Sequence, residues 1–125
     1  MYTRGIRGAT TVASNTEADI VNETSKLLKE IVQKNSLDPE AICSVWITLT
    51  KDLDAAFPAK SIRELQGWEL VPLMCSQEVP VKGALEKCIR FMIHVNTDKT
   101  QKEMVHVYLN GAKALRPDLA ESSNT

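Results

Sequence analysis

Arg90 is the residue of this chain whose position most needs a chemical explanation. It lies within 87–96, where apolar residues recur with the two-residue period of a β-strand, so its immediate neighbours are apolar. A guanidinium group does not lose its proton to escape burial, so an arginine there needs an anion or several hydrogen-bond acceptors. The pattern leaves three interpretations of Arg90: an anion-binding residue, a member of a buried ion pair, or a residue on a polar outer face of the sheet.

Arg7 and Tyr108 share this setting on other predicted strands. Arg7 lies among glycines, and such small neighbours let a ligand or another chain approach closely. Tyr108 lies between two apolar residues, so its hydroxyl is expected on the face opposite the apolar one. Two interpretations fit Tyr108: a tyrosine at the rim of the core, or a residue that contacts a ligand.

The sequence Cys-Ser-Gln-Glu at 75–78 closes the third predicted strand, and loops at strand ends commonly carry ligand-binding groups. Glu78 has no acidic partner nearby, so it resembles a hydrogen-bond acceptor more than one half of a glycosidase carboxylate pair. Cys75 could be a nucleophile, but no histidine is placed in the sequence to activate it. A small buried thiol is the simpler interpretation.

Lys60, Arg63 and Arg116 add further positive charge, although each alone is typical of a solvated surface residue. Several cationic groups with one carboxylate indicate a small ligand that carries more than one negative charge and a hydroxyl group. Arginine suits such a ligand because its planar fork binds a carboxylate through two hydrogen bonds. These residues predict a dicarboxylate-binding site and leave the reaction open.

Motifs of other enzyme classes are missing from the sequence: it has no GxSxG elbow, no P-loop and no HExxH. His94 and His106 lie on separate predicted strands, with no cysteine at metal-ligand spacing. We interpret both as solvated or core-edge histidines rather than zinc ligands. We therefore expect neither a catalytic triad nor a metal hydrolase.

The bulk composition narrows the possible partners and location. The net charge of −1 argues against nucleic acid, whose binding usually needs a strongly basic surface. No apolar run approaches the ~20 residues of a membrane span, and the first twelve residues lack the apolar stretch of a secretory signal. Three cysteines without a CxxC pair favour a reduced, cytoplasmic location over a disulfide framework.

The predicted elements run strand, helix, strand, helix and then three strands. Thr16 is expected to cap the first helix, which should fade near Asn35. Pro58 should open the second helix and Gly67 should end it, while Pro72 indicates an edge strand or a bulge. Strands are expected at 2–13, 42–50, 68–76, 87–96 and 105–109, with a capped helical turn at 100–103.

This order predicts an α/β or α+β sheet with its helices on one face, and we favour the α+β fold with a mixed sheet. Two helices cannot cover both faces of five strands, so we expect a homo-oligomer that buries the open face. Residues 1–117 should form a single domain, and residues 118–125 a polar, flexible tail.

A family resemblance is carried by six segments: RGIRGATTV (4–12), FPAKSIREL (57–65), CSQE (75–78), KCIRFM (87–92), HVYL (106–109) and LRPDL (115–119). In order and spacing they resemble the small monofunctional, trimeric chorismate mutases of the Bacillus type, over nearly the full length. The resemblance implies a ferredoxin-like protomer in a pseudo-α/β-barrel homotrimer, with sites for chorismate and prephenate at the subunit interfaces. It also implies an isomerase of aromatic amino acid biosynthesis that needs no cofactor.

The same resemblance implies four catalytic residues. Arg90 would contact the ether oxygen and a carboxylate of chorismate, Glu78 the ring hydroxyl, and Arg7 and Tyr108 the carboxylates. The rearrangement is pericyclic and needs no acid, base or nucleophile, in keeping with the missing motifs.

Further substrate contacts are implied around these four. Cys75 would lie in the same region, within the segment that also contains Ser76 and Gln77. Met74 stands where a small polar residue is expected, which leaves only a backbone contact from that position. Phe57, Lys60 and Arg63 would approach from a neighbouring subunit, and Leu115 and Arg116 would close the mouth from a mobile tail.

Two alternatives stay open at this point. One is a trimer that binds a small dicarboxylate without mutase activity. The other is a trimer like the enamine/imine deaminases, which also place an arginine at a subunit cleft. The second should not need Glu78 and Arg7 beside Arg90, and the six segments do not suit it.

Overall fold

The computed structural model describes residues 1–118 and contains one five-stranded mixed sheet. The spatial order is β3-β2-β4-β1-β5; β4 is antiparallel to β1 and β2, and the outer pairs β1–β5 and β2–β3 are parallel. The predicted α+β class is therefore confirmed. The strands are β1 (Tyr2–Thr11), β2 (Ile42–Leu49), β3 (Leu73–Gln77), β4 (Cys88–Thr97) and β5 (Val107–Tyr108).

The long helix α1 (Glu17–Asn35) begins and ends as the sequence predicts. The Thr16 side chain accepts the backbone N–H of Asp19, which satisfies one of the amide groups left over at a helix start. The apolar stripe of α1 packs very closely on the sheet. A Cβ added to Gly8 of β1 would lie 2.5 Å from Cδ1 of Ile31, so glycine is the residue that lets helix and strand meet.

The second helix and the third strand are shorter than predicted. Helix α2 (Ala59–Arg63) stops well before Gly67, which takes a positive φ of 89° in the turn that follows. Residues 68–72 form a turn rather than a strand, because Trp68 and Val71 are buried in the core as loop residues. The strand begins only after Pro72, and its place at the sheet edge confirms the edge position that Pro72 predicts.

The last strand is also shorter than predicted. The side-chain amide of Asn35 makes two 2.8 Å hydrogen bonds with the backbone of Val105, so this residue pairs with the helix end instead of a strand. A 3-10 helix, Asn110–Ala114, follows β5 and was not predicted. The predicted capping box of Thr100 and Glu103 is present on the short helix Gln101–Glu103.

The two faces of the sheet have different surroundings. Both helices pack on one face around the main core, as predicted, while the opposite face is open. On the open face Trp46 is 44% exposed and Met74 is 59% exposed, and these two residues are register partners on β2 and β3. A small second cluster closes one end of this face: Ala9, Cys88, Tyr108 and Ala112, with Leu85 and Leu115 against it.

The predicted boundary between domain and tail falls at 117/118, and residues 119–125 of that tail lie outside the described residues. Within residues 1–118 no helix is both long enough and apolar enough to cross a membrane.

Candidate active site

Arg90 and Glu78 form an ion pair on the open face. The Arg90 Nε lies 2.5 Å from Oε1 of Glu78, and the Arg90 side chain is 44% exposed whereas that of Glu78 is 18% exposed. Glu78 directly follows β3 and its backbone N–H donates to the carbonyl of Leu49 at 2.8 Å, which fixes its direction. Thr48 of the intervening strand β2 lies 3.4 Å from the same carboxylate oxygen. The carboxylate thus holds the guanidinium by one edge.

Cys88 lies below Arg90 on the same face of β4, two residues earlier, and its thiol is fully buried and contacts the guanidinium. Burial raises the pKa of Cys88 to about 11, and the nearby Arg90 charge only partly offsets this. The thiol is therefore neutral at physiological pH. The sequence placed Cys88 on the face of Arg90, but did not identify it as a site residue.

Tyr108 lies across β1 from Arg90. Ala9 is the register partner of both residues, so the arginine and the tyrosine stand two strands apart. Their backbones are therefore separated by about 10 Å, twice the usual strand spacing. Tyr108 is 4% exposed and packs in the second cluster, so both interpretations offered by the sequence agree with its position. Ala9 is itself buried and belongs to the second cluster.

Arg7 lies on β1 two residues before Ala9, and it is next to His106. The backbone N–H of Arg7 donates to Nδ1 of His106 at 2.9 Å. Burial lowers the pKa of His106, and the charges of Arg7 and Arg116 lower it further. His106 is thus a half-buried, core-edge histidine that bonds to the strand carrying Arg7, and only the β1–β5 pairing reveals this contact.

Arg116 and Leu115 follow the last 3-10 helix and lie near Tyr108. Leu115 packs on the second cluster, and the Arg116 guanidinium binds both carboxylate oxygens of Asp118 at 3.3 and 3.1 Å. Asp118 raises the pKa of Arg116, and the nearby Tyr108 adds to this. The structure therefore brings together one group, which we call the arginine cluster: Arg7, Glu78, Arg90, Tyr108, Leu115 and Arg116, with Cys88 and His106.

Apart from Met74, which lies on the open face, the other predicted site residues line a separate cleft of about 920 Å³, which we call the helix cleft. Lys60 there lies 3.2 Å from a carboxylate oxygen of Glu17, and Phe57 is 78% exposed. Cys75 faces α2, not Arg90: burial raises its pKa, and the backbone of Ala59 and the charge of Arg63 oppose the rise. The predicted residues that line the cleft are Phe57, Lys60, Arg63, Cys75, Ser76 and Gln77.

Successive side chains of the edge strand β3 point to opposite faces of the sheet, and this alternation separates the arginine cluster from the helix cleft. Residues 74, 76 and 78 point to the open face, where Ser76 Oγ accepts the indole N–H of Trp46 at 3.0 Å. Cys75 points the other way and packs against the main core. Cys75 and Glu78 are close in sequence, yet within one chain they belong to different faces, so the implied common region for them does not form in a single subunit.

The second histidine lies apart from the arginine cluster. His94 lies on the open face with Nδ1 3.2 Å from Ser44 Oγ. In residues 1–118 no three His, Cys, Asp or Glu side chains come together in the way that a metal ion needs.

The fold is a small α+β domain, and the open face of its mixed sheet carries the arginine cluster, whose guanidinium groups are of the kind that bind carboxylates. The Chorismate mutase type I family model matches residues 3–119. The chain belongs to this family, and the predicted resemblance is confirmed.

Three relatives illustrate the membership. Chorismate mutase AroH of Bacillus subtilis (strain 168) is 49% identical over 125 residues, 100% of this chain and 98% of that protein. Chorismate mutase AroH of Thermus thermophilus is 44% identical over 117 residues, 93% of this chain and 95% of that protein. The solved structure of a chorismate mutase from Clostridium thermocellum superposes with a TM-score of 0.85 at 59% identity, covering 88% of this chain and 97% of that chain.

Proposed function

We propose that the chain rearranges chorismate to prephenate in a site centred on Arg90. Family membership makes it a chorismate mutase, an isomerase of aromatic amino acid biosynthesis. The observation that carries the assignment to this site is the Arg90–Glu78 pair, which fixes a half-exposed guanidinium on the open face.

A spectrophotometric assay tests the proposal directly. Purified protein is mixed with chorismate, and the loss of chorismate absorbance is followed together with the appearance of prephenate. We expect turnover without added metal or cofactor. Absence of turnover by a folded protein that still binds chorismate would favour the alternative of a dicarboxylate-binding trimer without mutase activity.

Arg90 is proposed to stabilise the charge that develops as the reaction proceeds. The breaking C–O bond leaves negative charge on the ether oxygen, and a donor already fixed in place lowers the barrier without having to reorganise. Loss of one such donor typically costs ~3–4 kcal/mol. The Glu78 bond uses Nε, and a guanidinium has five N–H donors, so others are available to the substrate.

Glu78 is proposed to serve two partners. One carboxylate oxygen holds Arg90, and a carboxylate can accept several hydrogen bonds, so the ring hydroxyl of chorismate can bind as well. Its negative charge also lies where it can stabilise positive charge that spreads over the ring. Arg7 and Tyr108 are proposed to hold the substrate carboxylates and so restrain its reactive conformation.

The active assembly is proposed to be a homotrimer with a site at each subunit interface. The arginine cluster and the helix cleft lie on different faces of one chain, and both carry residues that the family resemblance assigns to a single site. A neighbouring subunit that brings its Phe57, Lys60 and Arg63 to Arg90 would complete the site. The same contact would cover the exposed Trp46 and Met74.

Sedimentation and mixing experiments test the assembly. We expect a trimer, and we expect inactive Arg90→Ala and Arg63→Ala chains to regain part of the activity when mixed, because one interface then contains two native halves. A stable, fully active monomer would contradict the proposal. A cytoplasmic location also stays a proposal, with which three free cysteines agree.

A further inference from the structure

His106 makes a side-chain hydrogen bond to the backbone of a strand that carries a proposed substrate-binding residue. Its Nδ1 accepts the backbone N–H of Arg7 at 2.9 Å, next to the point where β5 begins to pair with Gly8 of β1. The imidazole thus replaces the carbonyl that a longer β5 would offer. The ring supplies the acceptor for this backbone N–H, and the hydrogen bond holds the β1 backbone at Arg7 in place.

We propose that His106 is a positioning residue, which fixes Arg7 for a substrate carboxylate only while its imidazole is neutral. The inference rests on the proposed role of Arg7. A nitrogen that accepts a hydrogen bond carries no proton, so the neutral ring has its proton on Nε2. Protonation would place an N–H on Nδ1 against the N–H of Arg7 and would break the contact.

The surroundings of the ring favour the neutral form. Arg7 faces it from β1 and Arg116 from the segment after the last 3-10 helix, and both positive charges oppose protonation. The amide of Asn35, at the end of α1, bonds to the backbone of the preceding residue, Val105, and carries no charge. Partial burial of the ring acts in the same direction and is the largest cause of the lowered pKa of His106.

Two substitutions distinguish the effect of losing the hydrogen-bond acceptor from the effect of losing the imidazole ring. In His106→Asn the side-chain oxygen can take the place of Nδ1 and does not titrate, whereas His106→Leu has no acceptor. Loss of the contact should act on binding shared by the ground and transition states, so we expect His106→Leu to raise KM about tenfold with kcat less affected. We expect His106→Asn to keep KM within about threefold of the wild type, since it restores the hydrogen bond.

The dependence of KM on pH adds a readout that a purely structural role would not change. As the pH falls below about 6.5, the ordinary pKa of histidine, wild-type KM should rise as His106 becomes protonated. KM of His106→Asn should stay flat over the same range. A wild-type KM that follows that of His106→Asn throughout would overturn the inference.

Nitrogen NMR of the ring gives a test that does not depend on activity. The chain has two histidines, so His94→Asn leaves His106 as the single imidazole to observe. We expect an unprotonated Nδ1 and a protonated Nε2 at pH 7. The opposite tautomer, a His106→Leu variant with wild-type KM, or a folded His106→Asn variant as impaired as His106→Leu would each overturn the inference. A wild type without turnover would instead count against the proposed function, and the NMR result would still test the ring.

Discussion

Oε1 of Glu78 lies 2.5 Å from Nε of Arg90, although Glu78 follows β3, Arg90 belongs to β4, and strand β2 lies between them. Thr48 of β2 is the register partner of Arg90 and lies 3.4 Å from the same carboxylate oxygen. A carboxylate placed in this way restricts the long arginine side chain before any substrate arrives. We interpret the pair as a means of positioning, because partly exposed ion pairs contribute little to stability.

Glu78→Gln should therefore impair catalysis far more than folding. The amide keeps the shape of the carboxylate but lacks the charge that holds the guanidinium, so we expect kcat to fall about tenfold or more, in the range of a lost charge-assisted contact. Thermal unfolding should change by only a few degrees. Glu30→Gln, which removes a surface ion pair with Lys34 on α1, is the matched control and should leave kcat unchanged. Equal kcat values for the two variants would contradict the positioning role.

The cysteines should differ in their reaction with iodoacetamide. Cys43 is exposed, Cys75 is partly buried and Cys88 is buried with a pKa raised to about 11, so thiolate is scarce at Cys88 near pH 8. We expect mass spectrometry to show modification of Cys88 only after unfolding in denaturant. Rapid alkylation of Cys88 in the folded protein would show that the thiol is not buried beneath Arg90.

Cys75→Ser should retain substantial activity. The raised pKa of the Cys75 thiol and its place facing α2 leave no thiolate near Arg90 of the same chain. A folded but inactive Cys75→Ser variant, measured by the chorismate assay, would restore the nucleophile interpretation.

Gly8→Ala tests the closest approach of helix and sheet. The added Cβ would lie 2.5 Å from Cδ1 of Ile31, so we expect a loss of about 1–3 kcal/mol in the free energy of unfolding, as for other overpacked cores. The double variant Gly8→Ala/Ile31→Val removes the clashing methyl group and should recover part of that loss. Denaturant unfolding of the three proteins measures both effects. No recovery in the double variant would place the clash elsewhere.

Local signals made part of the fold predictable. Helix α1 has its cap, Thr16, and its apolar stripe within one segment, so its bounds could be read from neighbouring residues. The starts of β3 and β5 could not, because burial of Trp68 and the pairing of Asn35 with Val105 depend on residues distant in the chain. Tertiary contacts override local β-propensity at both places.

The residues of the candidate site were likewise predictable only in part. Arg90 and Glu78 stood out because a charged residue on an apolar strand and a carboxylate at a strand end are visible in the sequence. His106 did not stand out, because its importance lies in the register between β1 and β5, which brings Nδ1 to the backbone of Arg7. The separation of Cys75 from Glu78 follows from strand alternation only once the exact bounds of β3 are known.

The most direct test of the proposed mechanism replaces Arg90 with citrulline, a neutral residue that keeps the shape of arginine and most of its hydrogen bonds. If Arg90 stabilises charge that develops only as the C–O bond breaks, kcat should fall by at least ~100-fold, the low end for loss of an oxyanion donor, while KM changes less. Arg116→Ala is the contrasting variant and should mainly raise KM. A citrulline variant that keeps the wild-type kcat and changes only KM would contradict electrostatic stabilisation by Arg90.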